Sequence, residues 1–147
     1  MQQDQITGYS EKLQIEKRYV TVTTKETLLE MVEAIEEASR ISLDTETTSL
    51  NPRKGKIIGF SITTKIGTGF YLPTLKWNNY TQKLEELLIE GKSTHNIAVR
   101  VMKMLKGKKL ICHNASFDLR YIKNYYGVSL IEDLWVDTAL LVHTVQE

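Results

Sequence analysis

The sequence predicts an α/β domain built on a mixed β-sheet flanked by helices. Three observations predict it. Short β-branched and aromatic runs, such as Tyr19–Val22 and Ile57–Ile62, have the length and composition of strands. Longer amphipathic stretches lie between them, as at Thr24–Ser39 and Asn96–Lys106. The early strands come together and the later ones alternate with helices, an order that suits layered α/β architecture better than a bundle or a barrel.

In chain order, residues 1–16 are polar and read as an N-terminal arm or linker, and residues 17–147 as the domain. Tyr19–Val22 is the first strand. Thr24 caps a helix whose apolar stripe is Leu28, Val32 and Ile35, widened by Leu29, and which finishes near Ala38 or Ser39. Ile41–Asp44 is a short strand delivering a carboxylate at its end. Asn51-Pro52-Arg53-Lys54-Gly55 is a loop by composition. Ile57–Ile62 and Gly69–Leu72 are strands around a polar turn. A helix is expected over Thr81–Ile89, closed by Gly91, and another over Asn96–Lys106, stopped by Gly107. Leu110–Cys112 is a strand. Phe117, Tyr121, Ile122 and Tyr125 have the spacing of a helix ending at Gly127, and Thr138–Val145 reads as a last helix.

Composition narrows the function classes. The 147 residues are 25% charged and 41% hydrophobic, with 8 Gly and 2 Pro, which excludes collagen-like, wholly disordered and disulfide-scaffold chains. A single cysteine, Cys112, makes no internal disulfide and points to a reducing, cytoplasmic setting. No apolar run approaches a membrane span, so no membrane partner is expected. The net charge of +1 hides an asymmetry: residues 1–50 carry 5 basic and 10 acidic side chains, residues 51–147 carry 14 and 8. A basic region beside clustered carboxylates suits a polyanion held together with divalent cations.

The carboxylates carry the chemistry. In Ile41-Ser42-Leu43-Asp44-Thr45-Glu46-Thr47-Thr48-Ser49-Leu50, an extended backbone through Thr45 places Asp44 and Glu46 on one face and turns Thr45 toward packing. Two like charges so close repel unless a cation lies between them, and hard oxygen donors favour Mg²⁺ or Mn²⁺. In Cys112-His113-Asn114-Ala115-Ser116-Phe117-Asp118, Asn114 holds a turn or caps the helix. Asp118 lies in the first helical turn, where the helix dipole favours it, and leans toward Asp44 and Glu46 if the two strands are neighbours. Asp137 starts the last helix as a cap or as scaffold. The three histidines and the cysteine have no zinc spacing, and no glycine-rich phosphate loop is present.

These segments together resemble the 3′–5′ proofreading exonuclease domain of family A, DNA polymerase I-like polymerases, within the DEDD superfamily. Asp44-Thr45-Glu46 matches the first motif, Asn114 with Asp118 the second, and Ile57–Ile62, Phe70–Pro73, Tyr125–Val128 and Val136–Leu141 the connecting segments. The resemblance covers residues 18–145 and implies an RNase H-like fold with two divalent metal ions, Mg²⁺ or Mn²⁺. It implies that Asp44, Glu46 and Asp118 are catalytic and hold the metals, with Asp118 acting through water. Asn114, Thr47 and Leu50 would then contact or support the substrate. The implied partners are a single-stranded 3′ end or primer-template DNA, and a polymerase (transferase) module in the same full-length chain, with proofreading in DNA replication as the role. The family's third motif, Tyr-x₃-Asp or His-x₄-Asp, is expected beyond Glu147, so the fold is expected to be incomplete at its C-terminus and the isolated chain weak or inactive. An incomplete fold exposes apolar surface and makes self-association an expectation too. Two readings compete: a stand-alone RNase D-like or Werner-type exonuclease, and a non-catalytic nucleic-acid-binding or structural RNase H-like module.

Overall fold

The computed structural model describes residues 17–145; the expected N-terminal arm lies outside them. Strand β1 (Arg18–Thr21) leads to α1 (Lys25–Glu37), then β2 (Arg40–Thr47), β3 (Ile57–Thr63) and β4 (Thr68–Pro73). Short strands β5 (Leu75–Asn78), β6 (Lys83–Glu86), β7 (Leu88–Ile89) and β8 (Lys92–Ser93) precede α2 (Thr94–Met104). The chain continues through β9 (Lys109–Cys112), α3 (Ala115–Tyr126), a single 3₁₀ turn at Ile131–Asp133, β10 (Leu134–Asp137) and α4 (Thr138–Val145).

Six strands form one mixed sheet in the order β1-β4-β3-β2-β9-β10. β2 is central, antiparallel to β3 and parallel to β9. Alternation along β2 decides what each face does: Ile41, Leu43 and Thr45 are buried, while Ser42, Asp44 and Glu46 are exposed. The buried side continues through Phe60, Ile62, Phe70, Leu72 and Leu110, and meets Met31 and Ile35 of α1, Val101 and Met102 of α2, and Leu119, Tyr121 and Ile122 of α3. The hydrophobic effect fastens the helices to this one face, each fully buried aliphatic or aromatic side chain contributing roughly 1.5–3 kcal/mol. The opposite face of β2 is open. Among the described residues no helix is long and apolar enough to cross a membrane.

Local chemistry explains the element boundaries. α1 starts with a capping box: the Thr24 hydroxyl accepts the Thr27 N–H at 3.2 Å, and Thr27 Oγ1 accepts the Thr24 N–H at 3.1 Å. Of the expected stripe, Ile35 is fully buried and Leu28 and Val32 partly so; Met31 joins Ile35 at the deepest level, and Leu29 is half exposed because it lies off the line of contact. α3 ends at Gly127, whose φ of 71° is the left-handed conformation a helix stop favours.

The helix expected over Thr81–Ile89 is instead two small hairpins. The Asn78 side-chain oxygen accepts the N–H groups of Tyr80 (2.8 Å) and Thr81 (3.2 Å), a pattern that would also start a helix, but here it closes a turn that brings Lys83–Glu86 back against Leu75–Asn78. The Asn78 amide also donates to Glu85 at 2.8 Å. Gln82 is left-handed, with φ 52°. Gly91 does not close a helix; Glu90 and Gly91, both at positive φ, form the two-residue turn between β7 and β8. The strand β10 is absent from the sequence reading. It pairs parallel to β9 and bulges at Trp135.

A carboxylate strand and its buried support

β2 runs extended through Thr47, so Asp44 and Glu46 share the open face as the alternation requires. The strand extends three residues beyond the expected end, and Asp44 therefore sits inside it. Asp44 pairs with Ser61 and Glu46 with Gly59 on β3. Gly59 leaves a notch that the Tyr71 side chain of β4 fills; a Cβ at Gly59 would collide with the Tyr71 hydroxyl. Burial, and then the Glu46 charge, push the Tyr71 hydroxyl above its ordinary pKa. The sequence reading missed Tyr71. Its signal is the two-residue alternation, which carries Ser61 and Tyr71 onto the Asp44 face through the strand pairing.

Asp118 is buried, 2% exposed, in the first turn of α3. It does not stand beside Asp44 and Glu46 on the open face. Its Oδ1 accepts the Thr45 N–H at 2.9 Å and the Thr45 hydroxyl at 2.6 Å, from the inward side of β2. Both donors use Oδ1, and among the described residues no other residue donates to Oδ2. Burial pushes the Asp118 carboxyl above its ordinary value; the Thr45 bonds pull back and the Asp44 charge adds to the rise. Thr45 thus ties α3 to the strand between the two exposed acids.

Asn114 is the residue preceding α3, left-handed at φ 63°, and its side chain makes no capping bond. The capping expected of Asn114 is carried out by Asp137. Asp137 Oδ1 accepts the N–H of Asn114 at 2.9 Å and of Ala139 at 3.0 Å, and Oδ2 accepts the Ala115 N–H at 2.8 Å. One carboxylate therefore satisfies the starts of two helices, α3 and α4. Desolvation acts to raise its pKa, but the backbone donors of Ala115, Asn114, Ala139 and Leu140 outweigh it and hold the carboxyl below its usual range. His113 is exposed, and its Nδ1 lies 2.9 Å from the Thr138 hydroxyl.

The loop after β2 carries Thr47 and Leu50. The Thr47 hydroxyl donates to the Ser49 carbonyl at 3.0 Å, and Leu50 is 88% exposed. The buried Tyr121 pins this loop from below, donating to the carbonyls of Ser49 and Asn51, the latter at 3.1 Å. Gly55 is required there, because a Cβ would run into the Tyr121 hydroxyl.

Asp44 and Glu46 form an all-oxygen pair open to solvent, a donor chemistry that fits a hard divalent cation. The pair is not a complete cage. Among the described residues no three His, Cys, Asp or Glu side chains stand close enough to hold an ion.

Residues 19–141 match a family model described as 3′–5′ exonuclease. DNA polymerase I of Borreliella burgdorferi is 33% identical over 110 residues, covering 73% of this chain and 11% of the polymerase, so the chain spans about a tenth of that relative. Among solved structures, Trypanosoma brucei RNase D in its GMP complex has a TM-score of 0.62 at 19% identity, covering 88% of this chain and 36% of that one. The Aedes aegypti Nibbler EXO domain has a TM-score of 0.59 at 11% identity, covering 88% and 56%. These likenesses establish the fold as an α/β RNase H-like mixed sheet flanked by helices.

Proposed function

Since the chain belongs to the family of 3′–5′ exonuclease domains related to family A DNA polymerase I, we propose that it supplies the Asp44, Glu46 and Asp118 portion of a metal-dependent site that hydrolyses the 3′-terminal phosphodiester of a nucleic acid. One observation carries this reading: two carboxylates stand on the open face of the central strand while a third, buried, is latched to the residue between them.

Asp44 and Glu46 would hold the divalent cations, Mg²⁺ or Mn²⁺, with Asp118 contributing through water from its unengaged Oδ2. When bound, such ions supply charge stabilisation for phosphodiester hydrolysis. The chain's own residues do the rest. Thr45 fixes the strand so that its neighbours cannot rotate inward. The Tyr71 side chain, seated in the Gly59 notch, fills the space beside Glu46. Thr47 and the exposed Leu50 offer a hydroxyl and an apolar surface to the terminal nucleotide, on a loop that Tyr121 holds down. Asn114 keeps its amide side chain free for substrate because Asp137 performs the capping.

Two settings share this chemistry. An RNase D-like, stand-alone exonuclease asks of the whole protein only the exonuclease step, and the fold likenesses to RNase D and the Nibbler EXO domain favour it. Proofreading inside a DNA polymerase is the narrower reading, resting on the DNA polymerase I relative. The single cysteine supports a reducing, cytoplasmic location for either setting. The test is calorimetric titration of the 147-residue chain with Mn²⁺, beside Asp44→Ala and Glu46→Ala. Saturable binding weakened at least tenfold in both variants is expected; no binding, or binding indifferent to both, would support a non-catalytic module instead. Release of 3′ mononucleotides from labelled single-stranded DNA and RNA by the whole protein then separates the two settings.

A further inference from the structure

The open face of the sheet carries a second chemical feature, at the far end of β2 from the acids. The alternation that exposes Asp44 and Glu46 also exposes Arg40 and Ser42. Arg40 pairs directly with Lys109 of β9, so two like charges lie side by side on neighbouring strands. Such a pairing is destabilising on its own. Among the described residues the only carboxylate ion pair is Arg18–Glu30, so neither Arg40 nor Lys109 has an acidic partner. The bulge in β10 instead brings Trp135 over to them: the Arg40 guanidinium lies 5.6 Å and the Lys109 ammonium 5.3 Å from its ring centroid. The indole stays 48% exposed.

An exposed aromatic ring flanked by two cations without counter-charges is the composition of a single-stranded nucleic-acid platform, where a base stacks and phosphates meet the cations. Its position gives it a direction. Arg40 and Asp44 are four residues apart on one strand face, about 13 Å, a span that a short single strand covers. We infer that Trp135, Arg40 and Lys109 form a binding site for single-stranded nucleic acid, holding the strand on the 5′ side of a terminus that lies at Asp44 and Glu46. The site itself is independent of metal; only its direction rests on the exonuclease reading.

The experiment uses the 147-residue chain in EDTA, which removes any contribution of bound cations, and a fluorescein-labelled oligothymidylate twelve nucleotides long. Anisotropy at low salt should give saturable binding. Trp135→Leu should weaken it about tenfold or more, as loss of a stacking platform does. Arg40→Gln with Lys109→Gln should weaken it and reduce the slope of log affinity against log salt by about 1.4, the value for two phosphates on a single strand. The chain has two tryptophans, so in a Trp77→Phe background the emission is that of Trp135 alone, and saturating oligonucleotide should quench it. Lys76→Gln, a charge change on the β5–β6 hairpin away from the main sheet, should bind as the parent does, and the EDTA keeps this result apart from the Mn²⁺ titration. Absence of saturable binding, or affinity within twofold of the parent in both Trp135→Leu and the double glutamine variant, overturns the inference.

Discussion

At the scale of single residues, polar groups on the buried side of the sheet decide most of the outcome. Thr45 and Asp118 satisfy each other, and the sequence already showed half of this: alternation pointed Thr45 inward, while nothing local indicated that its partner lies 73 positions away. Tyr126 is the contrasting case. It is buried at the end of α3, and among the described residues its hydroxyl, which faces Thr74, meets no partner at hydrogen-bond geometry. An unmade buried hydrogen bond costs about 1–3 kcal/mol, so Tyr126→Phe, which keeps the ring and drops the oxygen, should leave the protein at least as stable, by about 1 kcal/mol in urea unfolding. A loss greater than 1 kcal/mol would mean that the hydroxyl is satisfied after all. Cys112 behaves according to its burial. Desolvation, with the charges of Asp118, Asp137 and Asp44 adding, pushes its thiol up to about 12. At pH 8 roughly one thiol in ten thousand is then ionised. Iodoacetamide should therefore leave native Cys112 unlabelled for hours and modify it within minutes in denaturant.

At the scale of elements, the starts of α3 and α4 depend on one side chain. Asp137 lies at the end of β10 and accepts backbone N–H groups from both helices. Its folded pKa lies below the ordinary value, so the carboxylate stabilises the fold above the unfolded pKa and loses that contribution as pH falls through the folded one. Asp137→Asn should accordingly lower the Tm by roughly 5 °C at pH 7, and the two Tm values should converge as pH falls through the lowered folded pKa. Parallel loss at neutral and acid pH would place the effect in packing instead. The sequence suggested a cap for α4 here but could not show the second helix, because that contact depends on β10 lying beside β9. The same dependence hid β10 itself, whose four residues match no strong periodicity until a neighbour is present. The false helix over Thr81–Ile89 failed for a different reason. Its apolar spacing was adequate, but the left-handed backbone at Gln82 and the pairing of Lys83–Glu86 with Leu75–Asn78 exclude it, and only the polar Asn78-Asn79 pair hinted at a turn there.

At the scale of the whole molecule, stability and chemistry share the same strand. β2 has strands on both sides and three helices packed beneath it, and it carries the acids, while the chain from Leu75 to Ser93 lies outside the main sheet. That excursion is attached mainly through Thr74 and Leu87: the Leu87 N–H donates to the Thr74 carbonyl at 2.9 Å, and Thr94 donates to Leu87 and Thr74 carbonyls. Its β5–β6 hairpin leaves Trp77 55% and Tyr80 98% exposed, so little apolar area holds it closed. Local opening needs only the free energy of the contacts that open, so amides of Leu75–Glu86 should exchange with deuterium far faster than those of β2, β3 and β9. A ratio of about a hundredfold corresponds to a difference of about 2.7 kcal/mol between opening the hairpin and unfolding the domain. Native-state exchange read by mass spectrometry measures both in one sample. Asp137→Asn should raise exchange in α3 and α4 and leave the hairpin unchanged, since the two lie in separate parts of the hydrogen-bond network. Equal protection of hairpin and central sheet would show that the hairpin is part of the core, and that Asp44 and Glu46 stand on a strand no more rigid than the rest of the chain.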